Sequence, residues 1–136
     1  MEKNFFTSLY GIAPPVDKHI YFCNRQFSEP TLLRYASPLA WPGLYAVLVY
    51  DPSASPRPYR VIYFGQARDL SDRVTGSHEK YLSWCTAAGG SANLYVAFHW
   101  MLGSIESQRT IAERELIQHY APECNSTHNP WGFGLR

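Results

Sequence analysis

The sequence predicts an α+β fold: a three-stranded antiparallel sheet flanked by helices, preceded by an N-terminal arm over residues 1–40. Three observations predict it. Residues 44–50 and 59–64 are rich in β-branched and aromatic side chains, and a link holding Pro52, Pro56 and Pro58 separates them. Residues 93–100 alternate with the period of a strand. Residues 104–120 then carry apolar positions at helical spacing, and Pro122 stops them.

Each element has its own warrant. In the arm, Ser28-Glu29-Pro30 followed by Leu32, Leu33 and Tyr35 reads as a short capped helix, and Phe5, Phe6, Tyr21 and Phe22 are expected to pack the arm on the domain. A mobile tail is the alternative. Leu44-Tyr45-Ala46-Val47-Leu48-Val49-Tyr50 and Tyr59-Arg60-Val61-Ile62-Tyr63-Phe64 form an antiparallel hairpin with a long connection, and Gly65 permits a sharp exit. Asp69 is an N-cap for a helix through Leu70, Arg73 and Val74, which Gly76 interrupts before a further turn or two carrying Tyr81, Leu82 and Trp84. The third strand sets Leu94, Val96, Phe98 and Trp100 on one face, with Tyr95, Ala97 and His99 on the other. The long helix buries Ile105, Ala112, Leu116 and Tyr120. The tail after Asn125, with Pro130, Trp131 and Phe133, reads as a packed coil.

Composition narrows the class. With 136 residues the chain suits one compact domain, which the motifs place at residues 41–136. Hydrophobic residues make up 46% and charged ones 17%, enough to build a core. The net charge of +1 gives no basic nucleic-acid arm, so such a partner must be argued from local arrangement. Cys23, Cys85 and Cys124 are far apart and form no Cys-x-x-Cys unit, which argues against a disulfide framework or a zinc ribbon. The first residues lack a secretory pattern and no apolar run is long enough to span a membrane; the expected location is the cytoplasm.

Four separated segments belong together chemically: Gly43-Leu44-Tyr45, Tyr63-Phe64-Gly65, Arg73 with His78, and Glu115 followed by Asn125. Hydrolysis of a phosphodiester needs a base for the water, a cation on the phosphate oxygens and a carboxylate for a metal. Two phenols on one hairpin, a guanidinium on the helix leaving it and a helical carboxylate offer each part. Taken singly, each residue has an ordinary explanation: a buried core tyrosine, a surface ion pair, a solvated helix charge, a turn asparagine. Helical phase does not separate Glu113 from Glu115, since each flanks the Ile105–Ala112–Leu116 stripe on opposite sides.

In order and spacing, GLY at 43–45, YFG at 63–65, GQARDLSDR at 65–73 and ERELIQHYAPECN at 113–125 resemble the GIY-YIG nuclease family over about residues 42–126. The resemblance implies a metal-dependent DNA endonuclease with one Mg²⁺ or Mn²⁺ per active site and an activated water. It implies that Tyr45 acts as, or helps orient, the general base, and that Tyr63 bonds the scissile phosphate or its water. Arg73 would neutralise charge growing on the phosphate, Glu115 would ligate the metal, and Asn125 would orient groups near it or hold the C-terminal segment. A catalytically weak or inactive nucleic-acid-binding module on the same fold is the alternative.

Two departures bear on mechanism. Gln66 stands where some members carry a lysine that could lower the phenol pKa, and His78 lies five residues after Arg73 where certain members have a histidine four after. Arg57, Arg60, Arg68 and Lys80 cluster in sequence around the expected cleft, as a phosphate-tracking path or as ordinary solvated surface. His99 either approaches the site or rims it, and His119 shares a helix side with Glu115. The expected partner is DNA, single-stranded or duplex, with weak sequence specificity.

Overall fold

The computed structural model describes residues 17–126. The expectations for Phe5, Phe6, Pro130, Trp131 and Phe133 fall outside the described residues. The described residues form six strands: β1 (Ile20–Phe22), β2 (Arg25–Phe27), β3 (Thr31–Leu32), β4 (Gly43–Tyr50), β5 (Tyr59–Ala67) and β6 (Leu94–Trp100). The helices are α1 (Leu70–Arg73), α2 (Tyr81–Ala88), α3 (Glu106–Tyr120) and α4 (Glu123–Ser126). The main sheet is antiparallel with strand order β3-β6-β4-β5, and β1 with β2 makes a separate hairpin.

The sheet therefore has four strands where three were expected, and the helix expected after Ser28 is instead β3 followed by a 3₁₀ turn at Leu33–Tyr35. The cause lies in Ser28. Its backbone N–H donates to the Phe98 carbonyl at 2.7 Å and its hydroxyl accepts from the Phe98 N–H at 2.9 Å, so it docks the chain on β6 rather than capping a helix. The β1–β2 turn is two residues long, with Cys23 at φ 51° and Asn24 at φ 65°, the left-handed pair that a tight hairpin requires. Phe22 and Phe27 enter the core from this hairpin, while Tyr21, expected to pack, is 50% exposed.

Both faces of the sheet are covered. One packs Tyr45, Val47, Val96 and Phe98 against Leu70, Val74 and Trp84; the other packs Leu44, Leu48, Phe64 and Ala97 against Phe22, Phe27, Ala112 and Leu116. The expected split of β6 is seen, with Leu94, Val96, Phe98 and Trp100 on the first face and Tyr95 and Ala97 on the second. One irregularity decides where the phenols point. The register of β4 and β5 runs Val47↔Tyr63 and then Leu48↔Val61, so Ile62 is a bulge. A bulge inserts one residue and reverses the alternation beyond it, which turns Tyr63 onto the face of Tyr45.

Helix boundaries follow local chemistry. Asp69 caps α1 by accepting from the Ser71 N–H at 3.0 Å, and the chain leaves helical geometry before Gly76, as expected. α3 starts at Glu106 and ends where Ala121, at φ 45°, returns its N–H to the Ile117 carbonyl ahead of Pro122. Its buried residues are Arg109, Ala112 and Leu116; Ile105, expected inside, is 63% exposed because it precedes the first turn. No helix among the described residues is long and apolar enough to cross a membrane.

Candidate active site

β5 does not exit at Gly65 as expected but runs on to Ala67, and Tyr45 and Gly65 face each other across β4 and β5. A Cβ at Gly65 would overlap the Tyr45 phenol, so the glycine exists to let that ring lie over the strand. A Cβ at Gly43 would overlap the His99 carbonyl on β6, which explains the other end of the Gly-Leu-Tyr run. Tyr63 lies beside Tyr45 with ring centroids 6.0 Å apart. Trp84 of α2 stacks on His78 at 4.4 Å and contacts Tyr63 at 5.3 Å, walling the phenols from below.

His78 is buried, and its position in the interrupted segment between α1 and α2 is what brings it here. Its Nε2 lies 2.7 Å from the Tyr45 hydroxyl. Its Nδ1 accepts from the Lys80 backbone N–H at 3.0 Å. An accepting Nδ1 carries no proton, so the neutral ring must hold its proton on Nε2 and donate it to the Tyr45 oxygen. Burial, with help from Arg73 and Lys80 and against Glu79, pushes the His78 pKa down to about 4, which keeps the ring neutral near pH 7. Burial also pushes the Tyr45 phenol up, reinforced by Tyr63 and opposed by Arg73. Tyr63 is raised by burial as well, with Arg73 again pulling down.

Arg73 reaches the same face from the end of α1, where its charge acts on both phenols. Its fork is held by Glu79 through two bonds of 2.7 Å, which draws the Glu79 carboxyl down to about 2. The α3 carboxylate that joins the cluster is Glu113. It is half-buried; burial raises its pKa while Arg114 and Arg73 pull it down, and its own charge raises both Tyr45 and Tyr63.

Glu115, the residue singled out from sequence, is placed elsewhere. It is 61% exposed and pairs with Arg25 of β2 at 3.4 Å. Two residues apart on a helix lie roughly 160° apart around the axis, so only one of Glu113 and Glu115 can look toward β5. That flank belongs to Glu113.

The remaining expected residues divide. The Asn125 amide accepts from the Phe64 N–H at 2.8 Å and donates to the Phe64 carbonyl at 2.9 Å, tying the C-terminal segment to the outer edge of β5 next to Tyr63. Arg68 is exposed and in no ion pair among the described residues. Arg60 pairs with Glu123, Arg57 donates to the Lys18 and His19 carbonyls, and Lys80 is the N-cap residue just before α2. His99 does not approach the phenols: it accompanies Phe27 on the opposite face, with Nδ1 2.9 Å from the Gln26 carbonyl. His119 meets the Tyr120 ring edge-to-face, and His128 lies outside the described residues.

A divalent ion would find few protein donors here. Among the described residues no three His, Cys, Asp or Glu side chains gather as a ready-made cage. Glu113 is nevertheless a half-buried carboxylate with no hydrogen bond or ion pair among the described residues. One carboxylate, completed by water and substrate phosphate oxygens, suits Mg²⁺, which retains most of its waters. The set fits such an ion with Glu113 as its protein ligand.

No protein-family model and no curated protein matches the chain. Its structural neighbours include crystal structures of the GIY-YIG N-terminal endonuclease domain of UvrC from Thermotoga maritima, solved as point mutants bound to the catalytic divalent cation. One is 23% identical and superimposes with a TM-score of 0.41 over 64% of this chain and 84% of that domain. Another is 24% identical with the same score and coverage. The chemistry open to this chain follows from its own side chains.

Proposed function

We propose that this chain is a metal-dependent DNA endonuclease that hydrolyses phosphodiesters with an activated water. The observation that carries the reading is the convergence of Tyr45, Tyr63, His78, Arg73 and Glu113 around Gly65, from four separate segments of the chain. Buried phenols, a neutral imidazole, a guanidinium and a half-buried carboxylate do not serve packing as well as plain apolar residues would. They do serve an anionic substrate that brings charge into the site.

Each group has a part. Arg73 meets the non-bridging oxygens and stabilises the charge that grows on them. Tyr45 gives its own proton to solvent water as substrate and cation enter. The phenolate so formed, held by the His78 Nε2–H and by the field of Arg73, takes the proton of the attacking water as the water oxygen bonds to phosphorus and the ester oxygen leaves, to be protonated by solvent. His78 thus fills the role that a lysine at position 66 would have had. Tyr63 orients the phosphate or the water. Glu113 holds the Mg²⁺ or Mn²⁺ ion, which when bound supplies Lewis-acid stabilisation of the phosphate oxygens. Asn125 holds the C-terminal segment against β5 and is a positioning residue.

The second reading is a nucleic-acid-binding module that does not cut. The Arg73–Glu79 pair favours it, because an arginine already neutralised grips phosphate less well. Nicking of supercoiled plasmid and degradation of single-stranded DNA, each with Mg²⁺ or Mn²⁺, separate the two. The endonuclease reading expects cutting by the parent, a loss of about 10³-fold or more in Glu113→Gln, and near-parental rates in Glu115→Gln. An inactive parent on both substrates, or a fully active Glu113→Gln, sinks it.

A further inference from the structure

Sequence reasoning passed over Arg109, which lies within the buried stripe of α3 and is only 4% exposed. Its Nε donates to the Gln66 side-chain oxygen at 3.0 Å, and its Nη1 donates to the Ser104 carbonyl at 2.8 Å and hydroxyl at 3.1 Å. All of these acceptors are neutral. No carboxylate forms an ion pair with Arg109, and its Nη2 has no partner among the described residues. A buried guanidinium without a counter-charge is costly, and an unpaired one at a cleft marks a place for an anion.

Such a cleft is present. It measures about 530 Å³ between the end of β5 and the start of α3, and Gln66, Arg68, Ser104, Glu106 and Arg109 line it. Ile105 at the N-cap offers no side-chain acceptor, so the first-turn amides of the 15-residue α3 keep their positive field toward this space. Among the described residues Glu106 is the only opposing charge on the lining, against the two arginines.

We propose that this cleft binds a second backbone phosphate of the same nucleic acid, flanking the one under attack. The identity of the ligand rests on the endonuclease reading. The spacing is what connects the two sites. Arg109 and Glu113 are four residues apart on one face of α3, about 6 Å along the axis, which is comparable with the separation of neighbouring phosphates on one strand. Gln66 directly follows Gly65, the residue beneath the Tyr45 phenol. A strand laid along the β5 edge would therefore present neighbouring phosphates to Arg73 and to the Arg109–Arg68 pair.

Anisotropy of a labelled single-stranded oligonucleotide, titrated with the full chain in EDTA over a range of salt, tests this without metal or turnover. Arg68→Ala and Arg109→Gln should each weaken binding roughly tenfold and lower the slope of log affinity against log salt by about 0.7. Glu106→Gln should tighten binding roughly twofold. Arg109→Lys keeps the charge without the fork, and if Arg109→Gln fails to fold by urea titration, the exposed Arg68 and Glu106 variants decide. Parental affinity and salt slope in these variants, or no binding by the parent, overturns the cleft. A parent that binds but does not cut overturns the endonuclease reading and leaves the cleft standing. A parent that cuts while the arginine variants keep parental KM and affinity does the reverse.

Discussion

The two faces of the main sheet are built from the same strands and are equally well covered, yet they differ in kind. Behind α3, Leu44, Leu48, Phe22, Phe27, Phe64 and Leu116 form an apolar centre, with Tyr59, Tyr95, Tyr120 and His99 at its margin. On the opposite face alternation along β4 delivers Tyr45, the bulge at Ile62 turns Tyr63 beside it, and both phenols meet His78 and Trp84 as largely buried polar groups. Buried polar groups raise the cost of folding, so the second face is organised around something other than packing. One face holds the domain together, and the other is positioned by it.

That division predicts that substitutions on the two faces separate cleanly. Phe64→Ala should cost about 4 kcal/mol of stability by urea unfolding, with surviving activity proportional to folded protein. Tyr45→Phe should lower the cleavage rate about 100-fold while costing only about 1 kcal/mol of stability, the loss of one buried hydrogen bond to His78. Comparable stability losses at both positions, with activity tracking folded fraction in each, would break the comparison.

The smallest effect concerns pH. The His78 pKa is about 4 in the folded chain against an ordinary value of 6.5, so the unfolded chain binds more protons in that window and stability rises with pH. The contribution is complete above about pH 6.5 and falls by about 2 kcal/mol between pH 7 and pH 5. Glu113, raised by burial, works in the opposite sense, while Glu79 matters only toward pH 2 to 4.5. Urea midpoints at pH 7 and pH 5 should therefore separate in the parent and converge in His78→Gln; an unchanged separation would remove His78 from the argument.

Much of the architecture was legible in the chain. The β4, β5 and β6 runs, the Asp69 cap and the stop at Pro122 are local chemistry, and local chemistry survives folding. The β1–β2 hairpin was not, because its turn uses Cys23-Asn24 where a glycine usually announces left-handed geometry. Ser28 read as a cap because its hydroxyl suits one, but its partner lies 70 residues away on β6. The choice between Glu113 and Glu115 was beyond any helical wheel, since it depends on which flank of α3 overlies β5. Arg109 was hidden by its own burial: a charge inside an apolar stripe leaves no periodic signal.

The Asn125 latch carries a separate consequence. β5 borders the open side of the sheet, where unpaired amides and carbonyls invite a strand from another molecule. At Phe64 a side-chain amide satisfies both backbone groups just as a neighbouring strand would. The residue therefore stands guard against edge-to-edge association, and its removal would leave a sticky margin beside the phenols, coupling solubility of the protein to a position whose sequence context speaks only of chemistry.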